Sequence, residues 1–191
     1  MEELADYCEY EGIRLISDEI YHGITYGNTS VSSLEMNSQS LVINSFSKYF
    51  SMTGWRLGWM IVPDDLIRPI ECLSQNFFIS APTHSQLAAI AAFDSYDDAE
   101  ENIKRYARNR SILMNELPSA GISSFAPADG AFYIYADISN LTNSSAEFCK
   151  DMLNDIGVAC TPGLDFDPLR GDSSIRLSFA GTEADIIEAC K

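Results

Sequence analysis

The chain has 191 residues, 46% of them hydrophobic, with 12 basic and 28 acidic side chains and a formal net charge of −16. This length and apolar content suffice for one large or two small globular units. The charge argues against nucleic acid and against an anionic membrane surface as partners, and an acidic surface serves solubility more often than it serves a basic partner.

Cys8, Cys72, Cys149, Cys160 and Cys190 are odd in number and contain no C-x-x-C pair, and the sequence holds only two histidines. Neither a zinc site nor a disulfide framework is indicated. Free thiols of this kind fit a reducing compartment, so the expected location is the cytoplasm. The opening Met-Glu-Glu-Leu-Ala-Asp is acidic where a secretory signal is basic, and no apolar run reaches the length of a membrane span. Asn28-Thr-Ser and Asn143-Ser-Ser then read as chance matches to the glycosylation pattern.

In chain order, Leu4, Ala5 and Cys8 share one face of a predicted amphipathic helix that stops at Gly12. Ile13–Ser17 predicts a short strand, followed at its C-terminal end by Asp18-Glu-Ile-Tyr21-His22-Gly23, the end where open α/β sheets place ligand-binding groups. A polar loop leads to a second strand, Leu41–Ser45, and Leu57–Val62 predicts a third, closed by Pro63. Leu66, Ile67, Ile70 and Leu73 recur at helical spacing within Asp64–Asn76, with Asp64 as the expected cap. An alanine-rich helix is predicted from Thr83 to about Tyr96, packed inside the protein or at a subunit contact.

The charged stretch Asp97–Leu117 carries Ile103, Tyr106, Ala107, Leu113 and Leu117 on one stripe and reads as a helix bridging two domains. Beyond it the pattern changes to an α+β unit. Strands are predicted over Gly121–Phe125, Ala131–Ile138, Val158–Thr161 and Ser173–Phe179, a helix over Ser144–Asp155 stopped at Gly157, and a last helix from Thr182. There are no repeats and no low-complexity segments.

The chemistry concentrates around Lys48. A lysine bracketed by Leu41-Val-Ile and by Trp55, Leu57 and Trp59 is placed for catalysis, although a loop lysine with a solvated head fits the same residues. Ser45 and Ser47 precede it and Arg56 follows, so hydroxyls and a guanidinium can converge beside the amine as a phosphate-binding set. A nucleophilic amine next to an anchor for a phosphate ester is what pyridoxal phosphate requires of a protein.

Asp18-Glu-Ile-Tyr21 upstream of Ser45-Phe-Ser47-Lys48, followed by Gly54-Trp-Arg56-Leu-Gly58, resembles the cofactor-lysine motif of the class I/II aminotransferases, the fold-type-I pyridoxal phosphate-dependent transferases. The resemblance implies an α/β fold. Residues 1–96 would form the C-terminal part of a large three-layer α/β/α domain, 97–118 an interdomain helix and 119–191 a small α+β C-terminal domain. It implies that Lys48 holds pyridoxal 5'-phosphate covalently and then moves the substrate's Cα proton. Asp18 would face the pyridine nitrogen, and Tyr21 the phenolic oxygen. Ser45, Ser47 and Arg56 would hold the phosphate, Ser45 being the better match of the two serines. By residue type alone, Asp18 also fits a helix cap and Tyr21 a core aromatic ring.

In the C-terminal part, Arg176-Leu-Ser-Phe-Ala180 resembles the family strand whose arginine clamps the substrate α-carboxylate, although an arginine alternating with apolar residues is also an ordinary half-exposed strand residue. Pro127-Ala-Asp-Gly130-Ala-Phe132-Tyr133 resembles the P-x-G-A-F-Y turn at the substrate pocket, lengthened by one residue. Asp167 stands where relatives carry glycine in P-G-x-x-F-G, which predicts a different backbone there.

The resemblance covers the C-terminal half of a family enzyme. A glycine-rich turn over the phosphate, a ring-stacking aromatic residue and a tyrosine lent by a second subunit have no counterpart here. The chain is therefore expected to be a fragment with weak or no turnover alone, and to leave a sheet edge and apolar helix faces uncovered. The expected reaction is amino transfer between an L-α-amino acid and a 2-oxo acid of aspartate, aromatic or alanine type, in a homodimer. A lyase or synthase of the same fold, or a dimerising remnant without cofactor, are the alternatives.

Overall fold

A computed structural model describes residues 1–191. The chain folds as two units, Met1–Glu100 and Glu101–Lys191, and each is considered by itself.

The first unit opens with helix α1 (Glu2–Tyr10), which buries Ala5 and Cys8. Its last turn closes on Gly12 and Ile13, whose N–H groups donate to the carbonyls of Glu9 and Cys8. Ile13 is thereby spent on ending the helix, and strand β1 forms later than the apolar run suggests, over Ile16–Asp18. β1 pairs in parallel with β2 (Leu41–Ser45), Ile16 opposite Leu41 and Asp18 opposite Ile43. β3 (Gly58–Ile61) lies antiparallel on the other side of β2, with Ser45 opposite Gly58. A Cβ at Gly58 would stand 2.6 Å from the Asn44 carbonyl oxygen, so this register admits only glycine there.

Helix α2 (Asp64–Phe77) starts from Pro63, which holds the cap position with extended backbone and offers no side-chain bond. Asp64 lies inside the first turn rather than capping it, because proline has already set the entry dihedral. Arg14 reaches the neighbouring Asp65 with both terminal nitrogens, at 3.1 and 3.2 Å. No residue of α2 is buried within this chain. Helix α3 (Thr83–Ala92) stops earlier than its alanine content suggests. Ser95 breaks the run: its hydroxyl donates to the Ala91 carbonyl, and its own carbonyl accepts from Ala99 to start the next helix, α4 (Tyr96–Glu116). Ala89 and Ala92 of α3 pack on Phe46 and Met52, with Phe50, Leu57 and Trp59 around them. The Phe46 ring meets Trp59 edge-on at 4.9 Å and Phe93 at 5.4 Å. This aromatic knot fixes the chain on both sides of Lys48.

The second unit is built on an antiparallel sheet in the order β4-β5-β7-β6, comprising β4 (Ser124–Phe125), β5 (Tyr133–Asp137), β6 (Thr161–Pro162) and β7 (Ser174–Ser178). Period-two alternation sends Ile134, Ala136, Ile175 and Leu177 into the core. Each fully buried isoleucine there contributes about 1.5–3 kcal/mol. β6 is shorter than the predicted Val158–Thr161 and ends in Pro162, which a sheet tolerates only at an edge. Helix α5 (Ser145–Asp151) runs into a π-helical turn, Met152–Ile156, released at Gly157. Helix α6 (Glu183–Ala189) is capped by Thr182.

Of the predicted stripe, Ile103, Tyr106 and Leu113 are buried on α4, Ala107 is half-buried, and the buried Leu117 lies just past the helix end. Asn109, on the same helix, is also fully buried, and its amide donates to the carbonyls of Phe179 and Gly181 at 2.9 and 3.0 Å. These two bonds hold the chain just beyond β7. Asn109→Ala leaves both carbonyls without that donor and is expected to lower stability by about 1–3 kcal/mol. Urea unfolding followed by circular dichroism measures it as a lower midpoint at unchanged slope.

Candidate functional site

The parallel pairing of β1 with β2 delivers the C-terminal ends of both strands to the same side of the sheet. Asp18 closes β1, and its Oδ1 accepts from the Ile20 N–H at 3.2 Å, an Asx turn that swings the chain back. The Glu19 N–H donates to the Ile43 carbonyl and extends the ladder by one bond. Tyr21 follows in that turn, and the Lys48 Nζ stands 5.7 Å from its ring centroid. Lys48 itself is half-buried.

On the β2 side, Ser45 Oγ lies 2.9 Å from Ser47 Oγ, accepts from the Ser47 N–H at 3.0 Å and reaches the Leu57 carbonyl at 3.1 Å. Ser47 is buried, and its carbonyl accepts from Thr53 Oγ1 at 2.7 Å. Arg56 is exposed and spends one nitrogen on the Thr53 carbonyl at 2.9 Å. Both Ser51 and Arg56 hold left-handed backbone, at φ 56° and 51°. Two non-glycine residues in that region within six positions store strain of about 1–3 kcal/mol each, which the surrounding bonds must maintain. The hydroxyl pair, the guanidinium and the strained loop between them suit a small dianion such as a phosphate ester. They fit the cofactor suggested by the sequence.

Three further residues shape this end of the sheet without having been picked out in sequence. The Tyr49 ring lies against Gly23, where a Cβ would meet it at 2.5 Å and the backbone is left-handed at φ 87°. The Tyr49 hydroxyl donates to Glu100 at 2.6 Å. Burial first, and the Glu100 hydrogen bond second, push its pKa well above the usual tyrosine value. Glu19 is buried and accepts from the Ser33 N–H at 2.9 Å and the Ser32 hydroxyl at 3.1 Å, with His22 Nδ1 at 3.2 Å. The signal was present in Asp18-Glu-Ile-Tyr-His22-Gly23: an acid three residues before a histidine, with a glycine free to take positive φ behind it.

In the second unit, Arg176 occupies the middle of β7, opposite Tyr135 on β5 and Thr161 on β6. Its guanidinium carbon lies 4.3 Å from the Tyr133 ring centroid and 4.5 Å from that of Phe166. Its polar contact is Thr161 Oγ1 at 3.5 Å rather than a carboxylate. A guanidinium packed on aromatic faces keeps its rotamer while its donors stay available. The Pro127–Tyr133 turn bends through Ala131 at φ 58°, and the Ala128 carbonyl accepts from Arg110 Nε at 2.6 Å. Asp167 ties its own loop, taking the N–H groups of Leu169 and Arg170 and the Arg170 Nε at 2.8 Å. The Arg170 side chain and these amides hold its carboxyl below the ordinary range. Where glycine would leave that turn unsupported, the aspartate caps it.

The family model described as aminotransferase class I and II matches residues 1–191. Among curated proteins, the chain is 48% identical to a valine–pyruvate aminotransferase of Mycobacterium tuberculosis, over 98% of this chain and 50% of that protein. It is 32% identical to an aspartate aminotransferase of Sulfurisphaera tokodaii, over 100% of this chain and 50% of that protein. A crystal structure of an aminotransferase from Mycobacterium tuberculosis superposes with a TM-score of 0.95 at 48% identity, covering 98% of this chain and 49% of that one. The chain thus spans about half the length of the relatives it matches.

Gly23→Ala forces a Cβ into the Tyr49 ring from a left-handed backbone, and is expected to cost about 2–4 kcal/mol, read as a lower urea midpoint. Tyr49 also makes stability fall in alkali. Its folded pKa lies above the unfolded value of 10.0, so the unfolded chain loses a proton first and the Tyr49 contribution is lost as pH rises past that value. Urea midpoints measured from about pH 8 to about pH 11 should fall less steeply for Tyr49→Phe than for the unaltered chain.

Proposed function

The chain belongs to the aminotransferase class I and II family, and from that premise we propose that it carries the cofactor lysine and the carboxylate anchor of a pyridoxal phosphate-dependent amino transfer between an L-α-amino acid and a 2-oxo acid. The observation that supports this reading best is the parallel register of β1 and β2, which brings Asp18, Tyr21, Ser45, Ser47 and Lys48 to one end of one sheet. When bound, the cofactor supplies an aldehyde that the lysine amine can join and a ring that accepts the electron pair left at the substrate Cα.

Each residue then has a defined task. The Asp18 carboxylate accepts a hydrogen bond from the protonated pyridine nitrogen and keeps that charge in place. The Tyr21 hydroxyl donates to the phenolic oxygen. Ser45 and Ser47 offer hydroxyls, and Arg56 its unused nitrogens, to the phosphate. The Lys48 amine would hold the cofactor at rest and, once freed by substrate, would take the proton from the substrate Cα and deliver it to the cofactor's aldehyde-derived carbon, on the far side of the substrate nitrogen. Arg176, oriented by Tyr133 and Phe166, takes the substrate α-carboxylate in a two-pronged hydrogen bond.

The name of the 48% identical relative makes valine and pyruvate the first substrate pair to test. The family resemblance supports a homodimer, and the five free thiols support the cytoplasmic location expected from the sequence. In the absence of a ring-stacking aromatic residue and a glycine-rich phosphate turn in this sequence, we expect the 191-residue chain alone to bind the cofactor more readily than it turns over substrate.

Borohydride reduction of the chain mixed with pyridoxal phosphate, followed by peptide mass mapping, is the direct test. The expected result is a single label on Lys48, lost in Lys48→Ala and weakened about tenfold or more in apparent affinity in Arg56→Ala, a loss of roughly 1.4 kcal/mol or more. A colourless, unlabelled protein, or a label spread over other lysines, would support the remnant without cofactor instead.

A further inference from the structure

The two thiols that meet in the second unit play no part in the reading above. Cys149 lies in α5 and Cys160 immediately precedes β6, and their sulfurs are 3.3 Å apart in a thiol–thiol hydrogen bond. Met152 brings a third sulfur to 3.6 Å from Cys160. Cys149 is buried and Cys160 half-buried, and all five cysteines are free thiols. A disulfide bond measures about 2.05 Å, so closure asks the two sulfurs to approach by about 1.2 Å.

We propose that Cys149 and Cys160 form a reversible intrachain disulfide, a redox modification site that takes a low-molecular-weight disulfide such as glutathione disulfide as its oxidant. The order of events follows from exposure. The Cys160 thiol gives its proton to solvent, and its sulfur attacks one sulfur of the oxidant, breaking that S–S bond and expelling one glutathione thiolate, which takes up a proton. The Cys149 sulfur, having lost its own proton, then attacks Cys160 in the mixed disulfide and expels the second glutathione, which is protonated in turn. Two protein thiols are oxidised, and one oxidant is reduced to two thiols. Electrostatics agrees with the order. Burial raises both thiols, Cys149 to about 12, and for Cys160 the hydrogen bond with Cys149 offsets part of that rise. The thiolate therefore forms first on the accessible partner. The new bond ties Cys160 to α5 and with it Thr161, the residue that receives Arg176.

The test is independent of cofactor binding. The native 191-residue chain is incubated with glutathione disulfide, blocked with iodoacetamide and mapped without reduction by mass spectrometry. The expected product is a peptide pair joined through Cys149 and Cys160, lighter by two hydrogens, released by dithiothreitol, and formed faster as pH rises. Cys149→Ser should stop at glutathione on Cys160, and Cys160→Ser should leave Cys149 as a thiol. Full alkylation of both residues in the treated native chain, or a link from either to Cys8, Cys72 or Cys190, overturns the proposal whether or not the variants fold.

Discussion

The parallel pairing of β1 and β2 is the constraint on which the proposed cofactor end depends. Parallel strands must be joined by a long excursion, and here residues 19–40 make it before the chain returns at Leu41 opposite Ile16. Asp18, opposite Ile43, and Ser45, two residues further along β2, then end neighbouring strands despite the long stretch of sequence between them. A slip of one residue would turn the side chains of β1 to the opposite face and take Asp18 with them. The Glu19 N–H donating to the Ile43 carbonyl is the last bond that resists such a slip.

Beyond the strands, local contacts hold the turns in place. Tyr49 presses on Gly23 and is tethered to Glu100, so the segment after Lys48 is braced against the segment after Asp18. Buried Glu19 fastens the same turn to Ser32 and Ser33. The left-handed residues Ser51 and Arg56 persist because their chain neighbours Phe50, Met52 and Leu57 are anchored in the aromatic cluster and Thr53 is bonded to Ser47. Rigidity of this kind is what an anion site needs, since donors ordered in advance lose little freedom on binding.

The second unit solves a different problem. An arginine with no carboxylate beside it must be kept from collapsing onto the surface, and here two aromatic faces and a hydroxyl do so. Its flanking residues, Ile175 and Leu177, are in the core. Backbone pairing on both sides of β7 leaves the strand no freedom to rotate, and the buried Asn109 secures the chain beyond it. The short edge strand β6 completes this sheet and brings Cys160 to Cys149.

The α/β class, the strand Leu41–Ser45 and most of the α4 stripe were legible in the linear sequence, because they rest on periodicity and on the chemistry of neighbouring residues. The start of β1 was misplaced, since whether Ile13 ends a helix or begins a strand depends on which carbonyl accepts its N–H. Asp64 looked like a cap until Pro63 had fixed the entry to α2. The Tyr49–Gly23 contact, the aromatic faces around Arg176 and the meeting of Cys149 with Cys160 could not be read beforehand. Each joins residues that are neighbours only after the sheet and its helices have packed, so their distances follow from tertiary register, which no local pattern encodes.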